Sequence, residues 1–263
     1  MGLLSEHSLA WKSSCEAFLI LALACACPTT ASSQSYYRNE PFDAAAKVLP
    51  RPYYGYDPAE YFKVAHEEAV SEQKARTKDE FETTAQYQQR LKRMGLSNPL
   101  AANTYAFGVK PTTVSYDADK QTFTLTFKPQ EAQGNALYLW TSLQTTVKDT
   151  GQHKAENGFG AVFTVQESSI SIYELWLAKA QGLTGCTATA NVAPAEAKSM
   201  NPDIRALALM RPVAPFESMD KDYSEATFSN PSETRTTTAM IFGRLIGVRF
   251  YDWVTGQVLG SCP

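Results

Sequence analysis

Histidine is scarce in this sequence, with three residues among 263. Imidazole is the most frequent general base and a common zinc ligand, so its scarcity leaves few ways to build either kind of site. His66 opens a segment with the first half of a two-histidine zinc motif, but Val70 stands where the second histidine must be. His153 lies in a polar stretch, and no G-x-S-x-G turn exists to supply a nucleophile. The sequence therefore predicts neither a metal ion nor a cofactor.

Basic residues are not in excess either, because 24 Lys and Arg face 27 Asp and Glu, for a formal charge of -3. That balance excludes the broad basic face of a nucleic-acid-binding protein. No apolar run reaches the roughly 18 to 20 residues that a membrane-spanning helix needs. Hydrophobic residues nevertheless make up 44% of the chain, which is typical of a globular protein with a core. We expect no nucleic-acid partner and no transmembrane span.

The first 33 residues have the pattern of a secretory signal peptide. Lys12 precedes the apolar run Ala17 to Ala26, and small residues follow it. Ala24-Cys25-Ala26 and Thr29-Thr30-Ala31 are both suitable cleavage sites. The sequence thus predicts an exported protein, periplasmic or secreted, with a buried N-terminal helix as the alternative.

Cys25 and Cys27 leave open a second form of export. Small residues precede each of them, as in bacterial lipoprotein signals, in which the cysteine is lipidated and becomes the first residue. A lipid anchor at Cys25 or Cys27 is therefore an alternative to simple cleavage.

Cleavage after residue 33 would remove three of the five cysteines and leave Cys186 and Cys262. Two cysteines in an exported chain indicate one disulfide bond. It would close a long loop and stabilise the fold by about 4 kcal/mol in the chain-entropy model. A zinc site is the competing interpretation, but neither cysteine has a second Cys or a His close to it in sequence.

Residues 34–56 form a segment rich in proline and tyrosine, which we call the Tyr/Pro segment. Its prolines favour extended and turning backbone. The densest part contains the candidate ligand-binding residues Arg51, Tyr53, Tyr54 and Tyr56, since tyrosines beside an arginine can stack on sugar rings or bases. The alternative is that these rings pack into the edge of the core.

Residues 57–95 are predicted to be helical. Asp57-Pro58 is a helix start, with Asp as the N-cap and Pro in the first position. Thr83 and Gln86 have the spacing of a capping box that begins a second helix. We expect Phe81, Tyr87 and Leu91 to pack against the sheet from that helix.

The same stretch carries a resemblance. Phe81-Glu82-Thr83 with Tyr87 and Arg90 resembles an F-E-T-x-x-x-[YF]-x-x-R motif of exported bacterial proteins of unknown function. The match covers Phe81 to Arg90 only. It implies export but no activity, and the residues themselves indicate a cap at Thr83 and an ion pair between Glu82 and Arg90.

Residues 103–263 have the pattern of a β-rich domain. Thr122 to Phe127 alternates apolar and hydroxyl side chains, as a half-buried strand does. Further strands are predicted on both sides of a polar loop from Lys148 to Gly158, for a total of seven to nine. The fold class is therefore α+β, with a helical N-terminal segment followed by a mainly antiparallel, sandwich- or barrel-like β domain.

Three functions fit these features: an exported binding protein, a hydrolase and a lipid-anchored structural component. The first is an exported, non-enzymatic envelope protein that binds a protein or a glycan. The second is a hydrolase of carbohydrate or cell-wall material. Such an enzyme needs two carboxylates that converge in an aromatic-lined cleft, and the candidates are Glu156, Glu167, Glu174, Asp203 and Asp222.

Overall fold

The computed structural model describes residues 37–40, 42–43, 45–94, 99–132, 134, 137–179 and 185–263. The predicted signal peptide, residues 1–33, and the alternative lipidation sites Cys25 and Cys27 lie outside these residues. None of the helices in the described ranges is both long and apolar enough to cross a membrane.

The described residues contain ten strands in two sheets. The strands are β1 (Tyr105–Val109), β2 (Thr113–Asp117), β3 (Thr122–Phe127), β4 (Gln130–Glu131), β5 (Tyr138–Glu156), β6 (Val162–Ala178), β7 (Cys186–Asn191), β8 (Ile204–Ser224), β9 (Ser232–Asp252) and β10 (Val258–Cys262). The larger sheet has the order β1-β8-β9-β6-β5-β4, with β10 also paired to β9, and the smaller sheet has the order β2-β3-β7. The prediction of a β-rich, mainly antiparallel domain is confirmed, and β6 with β9 is the parallel pair.

The smaller sheet packs its apolar face against the larger one. Phe123, Leu125 and Phe127 alternate with threonines on β3 and are buried, as the sequence pattern predicts. They share one core with residues of the larger sheet that include Ile241 and Phe250. Side chains on the pleated strands point alternately to the two faces, so each hydrophobic residue in this pattern contributes to the same interface.

A disulfide joins the two sheets. Cys186, at the start of β7, is bonded to Cys262, at the end of β10, with their Cα atoms 6.0 Å apart. The predicted pairing is confirmed. The bond fixes β7, at the edge of the smaller sheet, to β10, which pairs with β9 in the larger sheet.

The polar stretch from Lys148 to Gly158 is not the loop that the sequence predicts. Strand β5 runs through it to Glu156, and only residues 157–161 connect β5 to β6. The outer halves of β5, β6, β8 and β9 (residues 146–156, 162–170, 217–224 and 232–238) are mostly exposed or partly exposed, and together we call them the arm. The outer half of β5 is held chiefly by hydrogen bonds to β6 and buries little of its own surface, so it lacks the alternation that marks a strand in sequence.

Four α-helices complete the described chain: α1 (Pro58–Arg76), α2 (Thr84–Met94), α3 (Pro99–Ala102) and α4 (Pro194–Met200). The Asp57 side chain accepts a hydrogen bond of 2.9 Å from the Ala59 amide, so it caps α1 as its position before Pro58 indicates. Helix α1 buries Tyr61 and Ala65 completely in the main core.

The capping box at the start of α2 is present. The Thr83 amide donates to Gln86 Oε1 at 2.9 Å, and the Gln86 amide donates to Thr83 Oγ1 at 3.3 Å. Glu82 and Arg90 form the indicated ion pair through two hydrogen bonds of 2.9 and 2.6 Å. The Arg90 guanidinium holds the pKa of Glu82 below its usual value, chiefly through these hydrogen bonds.

The expectation that Phe81 packs against the sheet is wrong, because its side chain is 88% exposed. Helix α2 instead contacts the C-terminal end of α1. The Tyr87 hydroxyl donates to the Arg76 carbonyl at 2.8 Å, and Arg90 donates to the Thr77 carbonyl at 3.2 Å. Helix α2 is thus held against α1 by polar contacts, and Phe81 lies in the exposed segment that precedes it.

The capping box predicts a local loss of stability in Thr83→Ala. Loss of an N-cap costs about 0.5 to 2 kcal/mol, so amide hydrogen exchange in the first turn of α2 should accelerate by about 2- to 30-fold. The exposed Phe81→Ala is the matched control and should change this rate little. A larger effect from Phe81→Ala would contradict the assignment of the motif to helix capping.

The disulfide predicts a larger and global effect. Cys262→Ser should lower the free energy of unfolding by about 4 kcal/mol, because the unfolded chain regains the freedom that the closed loop removed. Urea unfolding followed by circular dichroism measures this difference, with the neighbouring Ser261→Ala as control. Equal midpoints for Cys262→Ser and the parent protein would contradict a stabilising bond between the sheets.

Candidate functional site

A cavity of about 480 Å³ lies where the Tyr/Pro segment meets the ends of β1, β8 and β9. Three tyrosines, two cations and several aliphatic side chains line it; the aromatic and charged residues are Tyr37, Tyr54, Tyr251, Lys110 and Arg205. We call it the tyrosine cavity. Its size is within the range of about 300 to 1,000 Å³ that small-molecule sites occupy.

The Tyr/Pro segment reaches this position by adding to the free edge of β1. Gly55 pairs with Phe107 in an antiparallel bridge. The Tyr56 amide donates to the Ala106 carbonyl at 2.7 Å, and the Gly108 amide donates to the Tyr54 carbonyl at 2.9 Å. These bonds satisfy an otherwise open sheet edge and place Tyr54 at the mouth of the cavity.

Two glycines permit this close approach. Gly55 has a φ of +84°, and a Cβ atom there would lie 2.3 Å from the Ala106 carbonyl oxygen. A Cβ atom on Gly108 would lie 2.7 Å from the Tyr54 carbonyl oxygen. Any larger residue at either position would push the segment away from β1, and with it one wall of the cavity.

Aromatic contacts hold Tyr54 in place. Its ring lies 4.3 Å from the ring of Trp253 and 5.8 Å from that of Tyr37, centroid to centroid. The Tyr251 hydroxyl donates to the Tyr53 carbonyl at 2.5 Å. Burial raises the pKa of Tyr251 well above its usual value, so this phenol stays neutral and bonded to the segment. The cavity therefore has a fixed aromatic wall.

The charged groups of the cavity are positive. Arg205 donates through Nη1 to the carbonyls of Pro202 and Ile204, at 2.9 and 3.1 Å, which positions its guanidinium beside Tyr251. Lys110 contributes a second cation from the turn after β1. None of the lining residues within the described ranges is acidic. The cavity thus combines an aromatic wall with a site for a negatively charged group.

The four residues singled out in sequence lie in different surroundings. Tyr54 lines the cavity, whereas Tyr53 and Tyr56 are buried in the two parts of the core. Burial above all, with the nearby charge of Glu40, raises the pKa of Tyr53 to about 12. Arg51 is exposed and donates to the Val254 carbonyl at 3.3 Å. One of the four therefore belongs to the cavity, and two others support its wall from behind.

Sequence reasoning missed Tyr37, Lys110, Arg205 and Tyr251 as members of this site. They come from four elements that are far apart in the chain. No spacing rule connects them, because they meet only through the pairing of β1, β8 and β9. The aromatic density of the Tyr/Pro segment was the one available signal.

The five candidate acids of the hydrolase hypothesis lie elsewhere in the described structure. None of them lines the tyrosine cavity: Glu156, Glu167, Glu174, Asp203 and Asp222. Glu174 accepts a hydrogen bond of 2.8 Å from Trp176 Nε1, which explains how a charge is accommodated in an apolar run. Glu167 lies on the arm, next to Glu233 of the adjacent strand.

Both histidines of the described chain contact a glutamate. His66 Nδ1 lies 3.1 Å from Glu217 Oε1, and His153 Nδ1 lies 2.7 Å from Glu167 Oε1. His153 lies on β5 and not in the loop that the sequence predicts from Lys148 to Gly158, and its side chain is exposed on the arm. Nothing in the sequence indicates that Glu167 contacts His153, because only the pairing of β5 with β6 brings the two side chains together.

No family model, curated protein or solved structure matches the chain.

Proposed function

We propose that this chain is an exported, non-enzymatic binding protein of the bacterial envelope, and that the tyrosine cavity binds a small acidic sugar. One observation carries the proposal: a cavity of about 480 Å³ combines three tyrosines with Arg205 and Lys110.

The aromatic wall suits the apolar face of a sugar ring. Tyr54 and Tyr37 present neighbouring rings at the cavity, and Trp253 supports Tyr54 from the side. Rings with few rotatable bonds offer contact area at a low cost in conformational entropy, and their hydroxyl groups can bond to the ring's substituents. A pyranose of one or two units fits the available volume.

The two cations, Arg205 and Lys110, suit the carboxylate of an acidic sugar. A guanidinium offers paired donors that match a carboxylate, and a lysine adds a point charge. Arg205 is held by two backbone carbonyls, so little side-chain entropy is lost when it binds. An acidic sugar satisfies both the aromatic wall and this charge.

Binding is favoured over hydrolysis by the position of the acids. Glycoside hydrolysis needs two carboxylates on either side of the scissile bond. Asp57, Asp203 and Asp252 adjoin lining residues in the chain without lining the cavity themselves. Asp57 already accepts the Ala59 amide at 2.9 Å as the cap of α1, and Asp252 accepts bonds from the turn that follows it. The two sheets pack face to face, as in a β-sandwich, and this packing fixes the positions of the strands that line the cavity.

Export is supported by three independent features. The pattern of residues 1–33 is that of a signal peptide, and the Cys186–Cys262 bond is typical of an oxidising compartment. The resemblance of Phe81 to Arg90 to exported bacterial proteins points to the same location.

Arg205→Gln should weaken binding of an acidic sugar, such as N-acetylmuramic acid, by about tenfold or more. A charge-assisted hydrogen bond contributes about 1.5 to 3 kcal/mol, and glutamine is a shorter polar side chain without the charge. Affinity for the neutral N-acetylglucosamine should change little. Tyr54→Ala should weaken both ligands, because it removes the shared wall. Isothermal titration calorimetry measures all three effects.

Arg51→Gln is the matched control, since it removes an arginine of the same region that lies outside the cavity. Its affinities should equal those of the parent protein. If Arg51→Gln lost binding while Arg205→Gln kept it, the site would be the exposed surface of the Tyr/Pro segment and not the cavity. If no acidic sugar bound to the parent protein at millimolar concentration, the proposed ligand class would be wrong.

The export proposal predicts the start of the mature protein. Mass analysis of protein recovered from the envelope or the medium should give an N-terminus between Cys27 and Gln34. A mass increased by a diacylglyceryl group on Cys25 or Cys27 would establish the lipoprotein form. An intact Met1 or Gly2 would contradict export by this signal.

A further inference from the structure

The arm carries a cluster of potential metal ligands that is remote from the tyrosine cavity. His153 on β5, Glu167 on β6 and Glu233 on β9 each offer one ligand atom, and these atoms lie within 4.8 Å of one another. Leu143, which lines the cavity from β5, precedes His153 by roughly 30 Å of extended strand. We propose that this triad binds a divalent transition-metal ion of the zinc type.

The register of three strands brings the triad to one face of the sheet. Glu167 lies directly opposite Glu233 in the parallel pair, and Gly151 lies opposite Glu167 in the antiparallel pair. His153 is two residues beyond Gly151 and so shares its face. A Cβ atom on Gly151 would meet nothing within 4 Å, so the space beside Glu167 is open to the imidazole.

The two carboxylates are adjacent, and in the described residues neither forms an ion pair with a lysine or an arginine. Like charges directly opposite each other on neighbouring strands destabilise a sheet. Among the ion pairs of the described residues, Glu167 is paired with His153 alone, and Glu233 is paired with neither lysine nor arginine. Arg235 lines the same small cavity as both carboxylates, with its guanidinium over the Tyr223 ring, 5.8 Å from the centroid, and the Tyr223 hydroxyl donates a hydrogen bond to Glu233. A bound cation would remove this repulsion.

The surroundings favour a defined site over a diffuse acidic patch. Val165, the register partner of His153, is completely buried and forms an apolar wall beside it. A small cavity of about 220 Å³ adjoins Glu167 and Glu233, and it leaves room for water or an exogenous ligand. Three protein ligands would leave one position on a zinc ion open to water or to an exogenous ligand.

The donor set selects the class of metal. One imidazole nitrogen with two carboxylate oxygens suits Zn²⁺ and its first-row neighbours, whereas Mg²⁺ and Ca²⁺ prefer oxygen alone. In a zinc site the ligand atoms lie about 3 to 3.5 Å apart. His153 Nδ1 and Glu167 Oε1 are 2.7 Å apart, so the ion would replace their hydrogen bond after a small rotation of two partly exposed side chains.

The test uses the full mature protein without a histidine tag, stripped of metal and titrated calorimetrically with ZnCl₂ alone. We expect one site, with an affinity for Mg²⁺ at least tenfold weaker. His153→Ala and Glu233→Gln should each weaken Zn²⁺ binding by at least tenfold. Both substitutions are on the arm surface, and unchanged circular dichroism spectra will show that they fold.

The control is His66→Ala, because His66 forms a similar pair with Glu217 at 3.1 Å without a third ligand in the described residues. Its Zn²⁺ affinity should equal that of the parent protein. Substitution of Co²⁺ should give the visible spectrum of a four- or five-coordinate site, which is lost in Glu233→Gln. Equal Zn²⁺ affinity in the parent, His153→Ala and Glu233→Gln, or an equal loss in His66→Ala, would overturn the proposal.

Discussion

The structure depends on a single strand, β9, that is hydrogen-bonded along both edges. Strand β8 follows it along nearly its whole length, β6 pairs in parallel with residues Ser232 to Gly243, and β10 pairs with residues Val248 to Tyr251. The second half of β9 is mostly buried, and the first half is mostly partly exposed. One strand therefore continues from the core into the arm. The arm strands are anchored because each of them continues into a more buried part of the same strand.

The two ends of β9 lie in different surroundings. The buried end carries Tyr251, whose hydroxyl is hydrogen-bonded to the Tyr/Pro segment. In the arm, the start of β9 carries Glu233, next to Glu167 and His153. At the buried end of β9 the Tyr251 phenol is neutral, whereas on the arm ionised side chains are in contact with solvent. A small ligand in the tyrosine cavity and a metal ion on the arm would thus bind without competing for the same residues.

Sequence reasoning succeeded where a signal is local and failed where partners come from distant elements. The cap at Thr83, the alternation in β3 and the pairing of Cys186 with Cys262 depend on short spacings or on a small number of candidates. The outer half of β5 was missed because a strand exposed on both faces shows no period of two. Phe81 was misplaced because α2 packs on α1 through polar contacts that no hydrophobic pattern reveals. The site was found only at Tyr54, since its other members meet through strand register alone.

The Tyr/Pro segment links the fold to the proposed binding. It supplies Tyr54 as a cavity wall, and the backbone bonds to Ala106 and Gly108 keep that wall against β1. Those bonds exist only because Gly55 and Gly108 have no side chain in the way. A ligand between Tyr54 and Arg205 contacts both the segment and β8, so it binds the docked state in preference to any state in which the segment has left the sheet. Docking of the segment and occupation of the cavity must then stabilise each other by the same free energy, whichever occurs first.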